Sequence, residues 1–130
     1  MEMFLNMNPP TITAQMHKIG VRNGKPYFYD PPELKDAKQK LIAYLGQYKP
    51  NYPMDGKLSL VTIWYFKSNK HHPGEFKDTR PDTDNLQKML KDCMTYCEFW
   101  HDDAQVVQEV IEKRWSKVPG IHIMLTEAEE

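Results

Sequence analysis

The sequence predicts a single α+β domain, residues 1–130, in which one sheet packs against at least two helices. Stretches rich in β-branched and aromatic residues are typical of strands, and two longer segments repeat apolar residues at helical spacing. The chain contains no internal repeat, low-complexity tract or domain boundary, and its length suits one hydrophobic core.

The first predicted elements are a short strand and a β-hairpin. Residues 2–7 are predicted as a strand that ends at the Asn-Pro-Pro sequence of residues 8–10. An Asn-Gly pair at residues 23–24 separates two extended stretches within residues 21–29. This pair is the strongest short-range signal for a hairpin turn.

Two later segments carry helical patterns. Residues 31–48 begin with two prolines after Asp30, a residue that caps helices, and Gly46 is a typical helix end. A second helix is predicted to begin at Asp82. Its inner face is expected to consist of Leu86, Met89, Leu90, Cys93 and Cys97.

The remaining segments are predicted as strands, with one ambiguity. Residues 56–67 are β-branched and aromatic on both faces, which predicts a central strand. The segment AQVVQEVIEKRW, residues 104–115, fits both a helical stripe and a strand face, and its local pattern slightly favours a helix. Residues 120–126 follow a Pro-Gly turn and are predicted as a strand.

Composition excludes several classes of protein. No apolar run approaches membrane-spanning length, and the first ten residues are too short and too soon interrupted by proline for a secretory signal. A cytoplasmic protein without membrane contact is therefore expected. Cys93 and Cys97 provide neither a disulfide framework nor a four-ligand zinc pattern.

The charge balance argues mildly against nucleic-acid binding through bulk charge, since 17 Lys+Arg face 18 Asp+Glu. Local basic regions nevertheless exist. One is the long polar loop between residues 67 and 81, and connections of this length are often functional. The basic residues of the two regions are Lys67, Lys70, His71, His72, Lys77 and Arg80 in this loop, and His17, Lys18, Arg22 and Lys25 near the predicted hairpin.

Four aspartates form the most informative pattern. Asp82 and Asp84 lie at a predicted helix start, where unpaired amides and the helix dipole favour carboxylates for structural reasons alone. Asp102 and Asp103 follow an aromatic Phe-Trp pair, and the capping interpretation explains this second pair less well. Two carboxylates about 4 Å apart repel by about 4 kcal/mol at an effective dielectric near 20, so convergence of these groups would require a cation between them.

A metal site is the functional alternative to helix capping. Oxygen ligands without cysteine or ordered histidine indicate a hard ion such as Mg²⁺ or Mn²⁺. Such an ion activates water and stabilises charge on phosphorus during phosphodiester hydrolysis. Lys88, one turn after Asp84, is then a candidate for holding the phosphate or stabilising the transition state.

Two motifs resemble the core of the RusA family of Holliday junction resolvases, small endodeoxyribonucleases carried mainly by bacterial prophages and phages. They are DTDNLQK, residues 82–88, and FWHDDAQVV, residues 99–107. The shared pattern is D-x-D-N-L-x-K, an intervening helix, and then W-x-D-D-x-x-V. The NPPT sequence at residues 8–11 also resembles the family's early Pro-Pro segment.

The resemblance implies metal-binding carboxylates at Asp82, Asp84 and Asp103, a catalytic lysine at Lys88, and Mg²⁺ or Mn²⁺ as cofactor. It also implies a homodimer with a mixed sheet and two helices. In this fold residues 104–115 form a strand, which overrides their local preference for a helix.

Two neighbouring residues and two departures from the family pattern complete the prediction. Asp102 is a secondary candidate at the site, and His101 is expected to be a surface residue. The better-known family members carry a run of arginines before D-x-D, whereas here Pro81 directly precedes Asp82 and only Lys77 and Arg80 are near. The other departure is the slightly acidic overall charge, and both departures bear on the strength of junction binding more than on the chemistry.

The implied activity is resolution of Holliday junctions by paired symmetric nicks during DNA recombination and repair. A four-way junction is nearly two-fold symmetric, so a symmetric dimer presents two matched sites to it. Recognition is expected through the phosphate backbone, with Lys67, Lys70, Lys77 and Arg80 as candidate DNA contacts. Two alternatives stay open: a less selective nuclease for branched DNA, and a non-catalytic phage DNA-binding accessory protein.

Overall fold

The computed structural model describes residues 1–11 and 18–130. Of the basic region predicted near the hairpin, His17 and the side chain of Lys18 lie outside the described residues. Numbered along the chain, the elements are β1 (Glu2–Leu5), β2 (Lys18–Arg22), β3 (Lys25–Tyr29), α1 (Pro32–Gly46), β4 (Leu58–Lys67), α2 (Thr83–Tyr96), a 3₁₀ turn (Asp103–Gln105), β5 (Val106–Ser116) and β6 (Gly120–Glu127).

A four-stranded mixed sheet forms the centre of the fold, in the order β1-β6-β4-β5. β4 pairs antiparallel with β6 and parallel with β5, and β1 pairs antiparallel with β6. A parallel pair needs a crossover connection, and α2 lies within the crossover between β4 and β5. The α+β class and the mixed sheet are confirmed.

The hydrophobic core lies on one face of this sheet, because every second side chain of β4 is buried and the side chains between them are half-buried or, at Lys67, exposed. Thr62 and Trp64 are fully buried on that face. The helices contribute the other side of the core: Leu34, Leu41 and Leu45 from α1, and Leu86, Met89, Leu90, Cys93 and Met94 from α2.

β2 and β3 form the hairpin that the Asn-Gly pair predicts. Asn23 and Gly24 have positive φ angles of 53° and 75°. A tight turn of this kind requires positive φ at both central residues, and Asn and Gly adopt it at low cost. This prediction is confirmed at the backbone level.

The local preference of residues 104–115 for a helix is wrong. Val106–Ser116 is a strand whose pairing with β4 extends from Leu58 to Lys67. Backbone pairing with a distant strand overrides the local periodicity, because the apolar residues of this segment fit either structure. The strand that the family resemblance implies is confirmed.

The polar loop between β4 and α2 is ordered along the outer edge of β5. The backbone N–H groups of Gly74 and Lys77 donate to the carbonyls of Trp115 and Lys113 at 2.8 Å and 2.9 Å, and Trp115 N–H donates to Glu75 O at 2.8 Å. An edge strand with unpaired backbone groups is a template for unwanted pairing, so the loop protects this edge. Among the described residues, no helix combines the length and apolar character that crossing a membrane requires.

Candidate active site

A cleft of about 330 Å³ lies between α2 and β5. Three predicted site residues, Asp84, Lys88 and Asp103, line it. The other lining residues are Gln87, Lys91, Asp92, Glu109 and Ile111.

The helix α2 and the strand β5 place side chains in the lining of this cleft. Asp84, Lys88 and Lys91 share one face of α2 because residues four and seven apart lie on the same side of a helix. Glu109 and Ile111 are two residues apart in β5 and therefore point to the same face of the sheet. The buried apolar side of α2 fixes the helix, so these positions are set by the core.

Asp82 occupies the N-cap position of α2, with φ −74° and ψ 148°. Its backbone carbonyl accepts the hydrogen bond from Leu86 N–H at 3.1 Å, but its side chain accepts no capping hydrogen bond from the described residues. The carboxylate is exposed and is not among the residues that line the cleft. The purely structural reading of Asp82 as a side-chain cap thus lacks its hydrogen bond, while the helix dipole still favours a negative charge here.

Asp102 and Asp103 differ in role although they are adjacent. Asp102 Oδ1 accepts the Ala104 N–H at 2.8 Å, and Gln105 Oε1 accepts the N–H groups of His101 and Asp102, so Asp102 caps the 3₁₀ turn. The amide of Gln105 also donates to two carbonyls of the segment before β4. This network holds the turn in place and leaves Asp103 to line the cleft.

His101 is exposed, as predicted, and its Nε2 lies 2.7 Å from Asp55 Oδ1. This contact lies on the protein surface beside the 3₁₀ turn. His101 is not among the residues that line the cleft.

Lys88 is held only loosely. Its Nζ lies 3.9 Å from Asp92 Oδ2, and the two side chains are 65% and 41% exposed. Exposed ion pairs at this helical spacing contribute only about 0.3–0.5 kcal/mol, so the ammonium of Lys88 can change partner at little cost.

The donor set of the cleft suits a hard divalent cation. Asp84 and Asp103 offer carboxylate oxygens, which Mg²⁺ and Mn²⁺ prefer. Within residues 1–11 and 18–130, no three His, Cys, Asp or Glu side chains lie close enough together to hold a metal ion. Magnesium usually takes one or two carboxylates and completes its shell with water and phosphate oxygens, so two carboxylates satisfy its requirements.

Lys77 requires a correction, because it was predicted as a DNA contact and is 8% exposed. Its ammonium donates to Thr79 Oγ1 and to the Arg80 carbonyl at 2.6 Å, and it lies 4.5 Å from the centre of the Trp115 ring. Burial lowers the pKa of Lys77 below its usual range, and the nearby positive charge of Lys113 lowers it further. Lys77 therefore stabilises the loop from within, whereas Lys67, Lys70 and Arg80 are exposed.

The structure also contains site residues that the sequence did not indicate. Gln87, Lys91 and Glu109 line the cleft, and Gln87 and Lys91 each contact Glu109. Lys113 donates to the carbonyls of Thr79 and Pro81 at 2.6 Å and 2.8 Å, which fixes the segment that leads into α2. Lys91 follows Asp84 at helical spacing and could have been predicted. Glu109 could not, because the face on which it lies depends on the register of β5 against β4.

Comparison with known proteins identifies relatives that match most of the chain. A family model described as "Endodeoxyribonuclease RusA" matches residues 9–126. The crossover junction endodeoxyribonuclease rusA of Lactococcus phage r1t is 36% identical over 121 residues, which cover 88% of each chain. The uncharacterized protein YqaN of Bacillus subtilis (strain 168) is 29% identical over 119 residues, 82% of this chain and 83% of that protein.

Proposed function

The chain belongs to the RusA family of endodeoxyribonucleases, and from this premise we propose that it resolves four-way DNA junctions with a divalent cation in the cleft between α2 and β5. One observation carries the proposal. Asp84 and Lys88 from the first motif and Asp103 from the second line a single cleft, although residues 89–98 separate the two motifs in the chain.

Each of these residues has a chemical role in the proposal. Asp84 and Asp103 would hold Mg²⁺ or Mn²⁺. Asp82 lies at the start of the same helix but outside the cleft lining, and it would add a third carboxylate only if its exposed side chain turned towards the ion. When bound, the cation supplies an activated water and stabilises charge on the scissile phosphate. Lys88 would contact a phosphate oxygen, because its ammonium is exposed, long-reaching and only loosely paired.

The scaffold around these groups limits their motion. The Gln105 amide ties the 3₁₀ turn to Met54 and Gly56 at 2.9 Å each, and Lys113 ties the segment before α2 to β5. Rigid placement of catalytic groups lowers the entropic cost of reaching the transition state. This rigidity supports assigning the cleft to chemistry and the neighbouring loop to binding.

We propose that DNA lies across the polar loop between β4 and α2. Lys67, Lys70 and Arg80 are exposed there, and the hydrogen bonds of residues 74–77 to β5 hold the loop as a defined surface. Cations on such a surface bind the phosphate backbone without reading base sequence. This binding mode suits a substrate that is recognised by its shape.

The second face of the sheet is the proposed contact between two copies of the chain. This face carries apolar side chains from all four strands of the mixed sheet, and Phe4 and Val110 on it are 40% and 47% exposed. Neither α1 nor α2 covers this face, because both pack on the core side. A two-fold dimer through it would present two identical clefts to a junction of matching symmetry.

A cleavage assay tests the proposed function. Wild-type protein and Asp82→Asn would be incubated with a labelled synthetic four-way junction, a flapped duplex and a linear duplex, with Mg²⁺ or with EDTA. Paired nicks in the junction alone, lost in EDTA and in Asp82→Asn, would support the proposal. Equal cutting of flap and junction would favour a less selective nuclease, and tight binding without nicks would favour a binding protein. Full activity of Asp82→Asn would contradict the metal assignment of that residue.

A further inference from the structure

A chain of polar side chains runs from the buried side of the sheet to the cleft. The indole Nε1–H of Trp64 donates to Thr62 Oγ1 at 3.2 Å, and the Thr62 hydroxyl donates to Gln87 Oε1 at 2.9 Å. Gln87 Nε2 lies 3.4 Å from Glu109 Oε1, and the Lys91 ammonium lies 3.1 Å from the same oxygen. The relay therefore ends at an ion pair that lines the cleft.

The direction of the hydrogen bonds in this relay is fixed by chemistry. An indole nitrogen only donates, and an ionised carboxylate only accepts. The amide nitrogen of Gln87 must therefore face Glu109, and its oxygen must face the Thr62 hydroxyl. Thr62 and Gln87 are 0% and 2% exposed, so water could not compensate for a reversed amide that set its oxygen against the carboxylate.

The cleft contains more charges than the proposed chemistry uses. Besides Asp84 and Asp103, it is lined by Asp92 and Glu109, and by Lys88 and Lys91. Lys91 is held more firmly than Lys88, because its side chain is 24% exposed and its contact with Glu109 is 3.1 Å. An ammonium released into this cleft would pair with the carboxylates that a cation needs.

We propose that Gln87 is a positioning residue of the cleft. It fixes the carboxylate of Glu109, which holds the Lys91 ammonium apart from the other carboxylates and so keeps Asp84 and Asp103 free for the divalent cation. This inference rests on the proposed function and deepens it, since it explains how the carboxylates proposed to bind the cation avoid a competing ion pair with Lys91. Thr62 and Trp64 act through Gln87, because they orient its amide.

Titration of Mn²⁺ into the 130-residue chain by isothermal titration calorimetry tests this proposal, with the melting temperature recorded as a separate readout. Gln87→Met removes the amide without changing any charge, and we expect it to weaken Mn²⁺ binding roughly tenfold through release of Lys91. Adding Lys91→Met to this variant should restore the wild-type affinity, because the competing ammonium is then absent.

Matched variants separate the relay from simple core packing. Thr62→Val removes the hydroxyl at nearly constant size and should resemble Gln87→Met, whereas Thr62→Ser keeps the hydroxyl and should bind Mn²⁺ as the wild type does. Glu109→Gln, at the solvent-facing end of the relay, should weaken binding in the same way. If the variants at Gln87 and Thr62 fail to fold, the Mn²⁺ affinity of Glu109→Gln tests the proposal in their place.

Wild-type Mn²⁺ affinity in Gln87→Met and Thr62→Val would overturn the proposal, whatever their melting temperatures. Weak binding that Lys91→Met does not restore would overturn it too, because Glu109 would then act on the metal directly. Asp84→Asn distinguishes failure of the proposed role of Gln87 from failure of the proposed metal site. If it abolishes binding while Gln87→Met has no effect, only the relay is rejected; a wild-type protein that binds no Mn²⁺ rejects the proposed function as well.

Discussion

Asp84 and Asp103 line the same cleft, although Asp84 lies in the first turn of α2 and Asp103 follows the end of that helix. The crossover between β4 and β5 brings them there, since α2 packs along β5 and the 3₁₀ turn leads directly into that strand. The neighbouring carboxylate of Asp102 is used as a cap. The fold thus gives two consecutive aspartates different positions, one as a cap of the 3₁₀ turn and one in the lining of the cleft.

Replacing Lys88 should reduce cleavage far more than binding. Lys88→Met removes a cation that we assign to the scissile phosphate, and loss of one such electrostatic interaction lowers kcat by about a hundredfold or more. Single-turnover cleavage of a four-way junction measures this loss, and a gel-shift titration measures affinity. Lys35→Met, an exposed change on α1, is the control and should leave both unchanged. Equal loss of affinity and of rate in Lys88→Met would reassign this lysine to DNA binding.

Replacing the exposed cations of the polar loop should weaken junction binding and its salt dependence. A variant with Lys67→Gln, Lys70→Gln and Arg80→Gln should lower the slope of log affinity against log salt by about 0.9 for each phosphate that the protein no longer neutralises. Fluorescence anisotropy over a range of salt concentrations measures this slope.

Two comparisons make the loop experiment specific. Lys35→Gln with Lys40→Gln removes exposed charge from α1 and should not change the slope. Lys77→Gln should instead lower the melting temperature, because it removes buried hydrogen bonds to Thr79 and Arg80. An unchanged slope in the triple variant would mean that DNA binds elsewhere.

A charge on the second face of the sheet should disrupt the proposed dimer. Val110→Glu introduces a carboxylate opposite Val61 of β4, and burying that charge at an interface would cost several kcal/mol. Sedimentation velocity should therefore detect a dimer for the wild type and a monomer for this variant. Tyr52→Glu, at a position that is 83% exposed and lies outside the sheet, should remain dimeric. A dimer that persists in Val110→Glu would exclude this face.

The buried thiols should make the protein less stable at alkaline pH. Burial raises the pKa of Cys93 to about 12 and also raises the pKa of Cys97. The folded state holds the Cys93 thiol proton more tightly than the unfolded chain does, and this difference stabilises the folded state. The stabilisation is complete below pH 9.0 and is lost as the pH rises towards 12. Urea unfolding at about pH 8 and about pH 10 measures the decline, and Cys93→Ala should reduce it. If the free energy of unfolding fell equally with pH in the wild type and in Cys93→Ala, the result would contradict a strongly raised pKa of Cys93.

Site features that depend only on the spacing of residues near one another in the chain were predicted from the sequence more accurately than features that depend on distant contacts. Asp84 and Lys88 lie four apart on one helix, so their shared face follows from helical geometry once α2 is predicted. The hairpin turn likewise depends on two adjacent residues with unusual φ angles. These features need no knowledge of distant contacts.

Features that depend on contacts between distant segments of the chain could not be predicted from the sequence. Glu109 faces α2 only because residues 106–116 pair with β4, and local periodicity favoured a helix there. Lys77 has the sequence context of an exposed basic loop, yet the backbone bonds of that loop to β5 bury it. The relay through Thr62 and Gln87 joins a strand to a helix, and each residue alone is an ordinary polar side chain.

The most direct test of the central claim compares Asp103→Asn with Asp102→Asn in cleavage of a labelled four-way junction. Both variants remove one carboxylate from adjacent positions, and Asn caps a helix about as well as Asp, so both should fold. The account predicts that Asp103→Asn binds the junction but makes no nicks, and that Asp102→Asn cuts as the wild type does. Full cleavage by Asp103→Asn, or loss of cleavage in Asp102→Asn with normal folding, would contradict the assignment of the active cleft.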